Sequence, residues 1–216
     1  MTLRDQIEKF KKEMSGQMPA DVQQTMQQAA EELEQSGVSD HSLKAGDAAP
    51  DFTLPDVHGE SVNLVDELEH TPVVLSFYRG GWCPYCNLEL QALQQALPEI
   101  QSLGAQLVAV SPELPDNSLT TTEKHTLAFT LLSDQGNRVA KDFGIVFTLP
   151  AALRPIYTQF GIDLPVWNGD DSFELPMPAT YVIARNGTIL EGFVSTDYTQ
   201  RMEPEKIIDI LRNNQS

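Results

Sequence analysis

The 216-residue chain has two cysteines, Cys83 and Cys86, three apart in the stretch FYRGGWCPYCNLEL, with Pro84 and Tyr85 between them. Residues of this type at this spacing have three uses: ligation of zinc, a structural clip, or a redox couple. Zinc needs four ligands, and the other good donors, His41, His58, His70 and His125, fall at no short ligand spacing. A disulfide across two intervening residues closes so small a loop that it constrains the unfolded chain little. Redox chemistry fits best. An apolar run ending at Tyr78 and Arg79 passes through Gly80 and Gly81 into a helix that starts near Pro84, which puts both sulfurs at a helix N-terminus. Free amides and the helix dipole favour thiolate there. Pro84 suits the first turn, because its missing N–H would have had no partner. Cys83, at the cap, is expected to be the more exposed thiol, with Cys86 one turn inside and close enough to bond to it.

The elements that must position this pair are legible as alternating textures. TPVVLSFYR and QLVAV are short apolar runs of the kind that form buried parallel strands. Between them Leu88, Leu90, Leu93 and Leu97 mark a helix ending near Gly104, which completes a strand–helix–strand unit. PDNSLTTTEKH reads as a second helix, FTLLSD as a strand and QGNRVAKDFG as a third helix. ATYVIA and TILEGFV flank an Asn186-Gly187 step, a strong hairpin signal, and EPEKIIDILRN reads as a terminal helix. The result is an α/β fold, a mixed sheet flanked by helices.

Two regions stand apart. Residues 1–46 read as an arm of two helices broken at Pro19. The stripe of Val22, Met26, Ala29, Ala30 and Leu33 must dock, either on its own domain or on a second copy in a homodimer. Residues 47–216 form the main domain, interrupted by a long excursion at 144–176 that is rich in aromatics and proline. A short helix is expected around Ala151 to Phe160, followed by ordered chain through Trp167, Asn168 and Gly169. Asp170 and Asp171 lack the spacing of a calcium loop and read as a turn.

The formal net charge is −17, a field that repels nucleic-acid phosphates and anionic lipid surfaces. No window approaches the ~18 apolar residues of a membrane span, and MTLRDQIEKFKKEM is no secretory leader. A cytoplasmic protein is expected, in a reducing compartment where such a pair is catalytic more often than structural.

WCPYC after an apolar strand resembles the active site of the thioredoxin superfamily, with the Pro84-Tyr85 dipeptide typical of glutaredoxins. AGDAAPDFTLPDVHGESVNL and PATYVIARNGTI resemble the peroxiredoxin family, also called alkyl hydroperoxide reductase C and thiol-specific antioxidant proteins, over roughly Leu43 to Ile210. The resemblance implies a thioredoxin-like fold and a thiol peroxidase without metal or cofactor. Cys86 would fall at the peroxidatic position, Cys83 at the family threonine and Arg79 at the family proline. The family's later arginine falls at Pro178. Pro178 resembles the thioredoxin-fold proline, expected in the cis form, with Met177 offering backbone groups to a bound substrate. The buried acid of thioredoxins falls at Phe77, so proton transfer needs another group. Glu89, one turn past Cys86, reads mainly as a solvated helix residue, with catalysis as its alternative. Arg79 is expected to lower a thiol pKa or to pair with an acid, and Trp82 to lie as a surface lid beside the thiols, with substrate contact as a further role.

Two reactions stay open. In one, Cys86 attacks a hydroperoxide and Cys83 resolves the sulfenic acid; in the other, Cys83 attacks a disulfide and Cys86 resolves it. A redox sensor is a third. The first two need an external thiol donor, thioredoxin-like or glutathione-type.

Overall fold

The structure, a computed structural model, describes residues 1–214. The chain opens with α1 (Leu3–Ser15) and α2 (Ala20–Gln35), then the hairpin β1 (Thr53–Pro55) and β2 (Ser61–Asn63), followed by α3 (Leu64–His70) and β3 (Val73–Phe77). Next come α4 (Pro84–Ser102), β4 (Gln106–Ser111), α5 (Pro115–His125), β5 (Thr130–Ser133) and α6 (Arg138–Asp142). The excursion holds β6 (Val146–Thr148), α7 (Arg154–Gln159), α8 (Leu164–Asn168) and β7 (Glu174–Pro176). The chain then runs through β8 (Ala179–Ile183) and β9 (Ile189–Val194) to α9 (Pro204–Asn213).

The central sheet has the order β5-β4-β3-β8-β9, with β3, β4 and β5 parallel and β8 and β9 antiparallel. β3 is buried along its whole length, which is why its residues other than Ser76 are apolar instead of alternating with polar ones. Its side chains feed two cores on opposite faces. Val74 joins Leu90, Leu93 and Leu97 of α4 and Ile207 and Leu211 of α9. Val73, Leu75 and Phe77 join Leu64, Leu68, Val139 and Phe143. Each large side chain so buried contributes about 1.5–3 kcal/mol relative to exposure.

The arm docks on its own chain. Thr2 caps α1 in a reciprocal box with Asp5, and the Leu3 and Arg4 amides donate to the Glu203 carboxylate at 3.1 and 2.8 Å. The α2 stripe is covered by the excursion, where Ala29, Val22 and Met26 pack with Leu149, Leu153 and Ile156.

The excursion owes its order to its ends. β6 and β7 pair antiparallel and close it at the base, and the Leu114 amide and Asn117 side chain donate to the Trp167 carbonyl. That pairing, like α3, escaped the sequence reading because the strands are too short to show a period. Asp170 caps a turn through the Ser172 amide at 2.8 Å.

Candidate active site

β3 delivers the chain to the site, and the Tyr78 amide extends its pairing to the Val110 carbonyl. Gly80 then adopts φ +146, and at Gly81 a Cβ would lie 2.0 Å from Thr121 Oγ1 of α5. Only glycine fits both places. Cys83 caps α4 and its amide donates to the Gly80 carbonyl at 3.0 Å, while Asn87 Nδ2 donates to the Gly81 carbonyl at 2.9 Å. Pro84 is the first helical residue, as expected.

Both sulfurs are free thiols and both are buried, Cys83 at 2% and Cys86 at 0% exposure. The expectation of an exposed Cys83 therefore needs correction: the arm and the excursion cover the helix end. What distinguishes Cys83 is that it lines a cavity of about 350 Å³ walled by Phe10, Met14, Met18 and Met26 of the arm and Phe160 and Ile162 of the excursion. Pro84, Tyr85, Trp82 and Arg79 lie on the same cavity. Tyr85 is held edge-on by Phe10 at 5.3 Å and Tyr198 at 5.5 Å between centroids.

Arg79 is buried and donates to the Tyr157 hydroxyl, with its guanidinium carbon 5.0 Å from the Trp82 ring, 5.8 Å from Tyr157 and 5.0 Å from Tyr198. Among the described residues no carboxylate pairs with it. Of its two expected roles, the pairing with an acid is absent among the described residues, and its charge acts to lower the pKa of both thiols. Trp82 is half-buried, stacked edge-on against Tyr157 at 5.7 Å, and forms part of the wall.

Cys86 faces the opposite environment. Arg201 donates to its sulfur from Nη2 at 3.2 Å, to the Tyr198 and Gln200 carbonyls from Nη1 at 2.8 and 2.7 Å, and to Glu89 from Nε. Glu89 is 1% exposed, which overturns its reading as a solvated residue; Thr180 donates to its other oxygen at 3.5 Å. A helix residue facing the sheet cannot reach water, and the Arg201 charge is what allows a carboxylate there.

These surroundings split the thiols. Burial alone would raise the Cys83 pKa, but a hydrogen bond from Cys86 and the charges of Arg79 and Arg201 bring it down to about 6. Burial, reinforced by Cys83, holds Cys86 well above the ordinary thiol range. Burial also raises Glu89 to about 7 against the pull of Arg201.

The Met177-Pro178 region departs from expectation. No peptide bond among the described residues is cis, so Pro178 is trans. Met177 is fully buried, and its amide donates to the Ile145 carbonyl at 2.7 Å, which continues the β6–β7 pairing and leaves that amide no role with a substrate. Both residues border a smaller cavity that also touches Arg79 and Tyr198.

Arg201, Tyr157, Tyr198 and Glu113 were missed by sequence reasoning. Each lies in a loop or a short helix with no periodic signal, and only the fold brings them to the cysteines. Among the described residues no group of His, Cys, Asp and Glu could hold a metal ion, and no helix is long and apolar enough to cross a membrane.

The AhpC/TSA family model matches residues 45–191, more than half of the chain. The chain belongs to the AhpC/TSA family. It is 32% identical over 167 residues to the chloroplastic peroxiredoxin Q of Gentiana triflora, covering 77% of this chain and 64% of that protein. Against peroxiredoxin Bcp of Escherichia coli K12 it is 38% identical over 103 residues, covering 48% of this chain and 65% of that protein. It thus spans less than two thirds of the length of these two relatives. The crystal structure of peroxidoxin BcpB from Mycobacterium tuberculosis superposes with a TM-score of 0.64 at 25% identity, covering 81% of this chain and 99% of that one. The family fold is the thioredoxin-like mixed sheet described above. The matched span starts at residue 45, so α1 and α2, which wall the cavity, lie outside it.

Proposed function

We propose that this AhpC/TSA protein is a cytoplasmic thiol peroxidase in which Cys86 reduces a hydroperoxide and Cys83 closes the disulfide. The observation that carries the reading is the Arg201 guanidinium on Cys86 Sγ at 3.2 Å. The family's later arginine is replaced by Pro178, and Arg201 brings the same charge to the sulfur from a different segment. The Cys86 thiolate attacks the terminal, hydrogen-bearing oxygen of the hydroperoxide. The O–O bond breaks, Cys86 becomes a sulfenic acid, and the alkoxide leaves and takes up a proton as alcohol. Arg201 and Arg79 stabilise the negative charge that moves onto oxygen. The Cys83 thiolate then attacks the Cys86 sulfur, hydroxide leaves and is protonated to water, and the Cys83–Cys86 disulfide forms. An external thiol donor, thioredoxin-like or glutathione-type, returns two electrons. The cycle needs no metal or cofactor. Apolar cavity walls support hydroperoxides that carry an apolar group.

One observation favours a second reading. Cys83 lines the cavity and has the lowered pKa, as a nucleophile toward a disulfide substrate would, with Cys86 resolving the mixed disulfide. Hydroperoxide consumption and insulin disulfide reduction, followed in the wild type, Cys83→Ser and Cys86→Ser, separate the two. The peroxidase reading expects Cys86→Ser to lose peroxide turnover on the order of a thousandfold, and Cys83→Ser to yield a trappable sulfenic acid on Cys86. A Cys83→Ser protein inert to peroxide, beside a Cys86→Ser protein that accumulates mixed disulfides, overturns it.

A further inference from the structure

Glu113 takes part in none of these steps, yet it is 0% exposed and lies behind the redox turn. It sits in the loop from β4 to α5, where Oε1 accepts the Gly81 amide at 2.9 Å and Oε2 accepts Ser111 Oγ at 3.5 Å. Among the described residues no cation pairs with it, in contrast to Glu89, whose charge is matched by Arg201. An unmatched carboxylate in such a place is costly unless it serves or sheds its charge. The turn is built around it: a Cβ on Gly80 would lie 3.0 Å from Glu113 Oε1 and 2.3 Å from Trp82 Nε1, an indole nitrogen without a hydrogen-bond partner. The groups facing Glu113 are Tyr78 from the end of β3, Gly81 and Cys86 from the turn and α4, and Ser111 from β4. Neighbouring Asp134 is turned away, capping α6 through the Val139 and Ala140 amides.

We propose that Glu113 is a positioning residue of the thiol pair, one that holds the Gly80-Gly81 turn through Oε1 and carries a proton when Cys86 does not. The link is charge. Burial raises Glu113 to about 7, and a thiolate on Cys86 raises it further. By reciprocity, a carboxylate on Glu113 holds Cys86 as a thiol. As Cys86 ionises, its proton is matched by one taken up at Glu113; after O–O cleavage the alkoxide collects one proton and Glu113 returns to carboxylate. No electrons move in this exchange. The inference rests on the redox reading of the pair and not on peroxide being the oxidant.

The test reads protonation and not turnover, so failure of the peroxidase reading leaves it standing. Other charges on Cys86, those of Arg79, Arg201, Glu89 and the Cys83 thiolate, must be held constant, and a Cys83→Ser background removes the last of them. In that background Glu113→Gln keeps an acceptor for the Gly81 amide and loses the charge. Ultraviolet titration of the Cys86 thiolate should then show about threefold more thiolate or better at pH values between 7 and the titration midpoint. Glu113→Asp should restore the parent curve in part. Superimposable curves, or a shift that Asp does not reverse, overturn the proposal. Should Glu113→Gln not fold, infrared difference spectra of the unmodified chain decide. Oxidation of the thiolate form to the disulfide should remove a buried protonated-carboxyl band that Glu113→Asp displaces, and no such band change overturns the proposal.

Discussion

The two sulfurs lie one helical turn apart in environments of opposite construction. Cys83 looks onto an apolar chamber where, among the described residues, Arg79 is the only cation, held among three aromatic rings and without a carboxylate. Cys86 looks into a polar network, with Arg201 on its sulfur, Glu89 beyond that guanidinium and Glu113 behind the turn. The chamber side is made from segments a long way apart in sequence, the arm and the excursion, that meet only when both dock. The network side is made from α4, which carries Cys86 and Glu89, and from single loop residues, Arg201 before α9 and Glu113 between β4 and α5. The difference teaches that identical thiols acquire different roles from what covers them: access comes from one side and control of charge from the other.

The sharpest way to break the contrast is to remove the cation of the network side. Arg201→Met leaves Glu89 buried and unpaired, so a loss of about 3–5 kcal/mol in denaturant unfolding is expected, together with loss of thiolate on Cys86. Adding Glu89→Gln should recover most of the stability and at most a small part of the thiolate, because the Arg201 charge stays absent. If the single variant loses less than the error of the measurement, the ion pair does not hold the network together.

A smaller effect is expected on the chamber side. Phe10→Ala removes the edge-on contact with Tyr85 and part of a wall from the arm, which should cost about 1–3 kcal/mol at a partly buried site. The ratio of kcat/KM for cumene hydroperoxide to that for hydrogen peroxide should fall severalfold, because only the larger substrate uses the wall. An unchanged ratio argues that the arm is a brace and not part of the site.

A third expectation is a pH dependence with two opposite slopes. Glu89 and Glu113 have folded pKa values near 7, above the ordinary 4.5, so the native state binds more protons than the unfolded one across that window. Their contribution is full below pH 4.5 and is lost as pH rises to 7. Cys83 is depressed to about 6 from 9, so its contribution is absent below 6 and grows as pH rises to 9. The melting temperature should pass through a minimum near neutral pH. Cys83→Ser should abolish the rise on the alkaline side, and Glu113→Gln should flatten the fall on the acid side. A wild-type curve that climbs steadily from pH 5 to 7 contradicts both carboxyl shifts.

Much of the fold was legible because it is written in contiguous residues. The Asn186-Gly187 hairpin lies between β8 and β9, Pro204 opens α9, and the break at Pro19 separates α1 from α2, all as expected. The strand–turn–helix that carries Cys83 and Cys86 was equally plain. What failed failed at a distance. Glu89 reads as solvated from its helix alone, yet its partner stands 112 positions later. Pro178 was expected to be cis by resemblance, but Met177 is tied to Ile145 and the chain runs on extended into β8.

The sequence by itself therefore determined that two cysteines stand at the start of a helix that follows a buried strand of a mixed sheet, because helix caps, apolar periods and turn residues act on near neighbours. Only the tertiary structure decided which sulfur meets the chamber, which meets Arg201, and which carboxylates share their field. Burial and charge act through space between residues that the sequence keeps more than a hundred positions apart, and no local pattern records them.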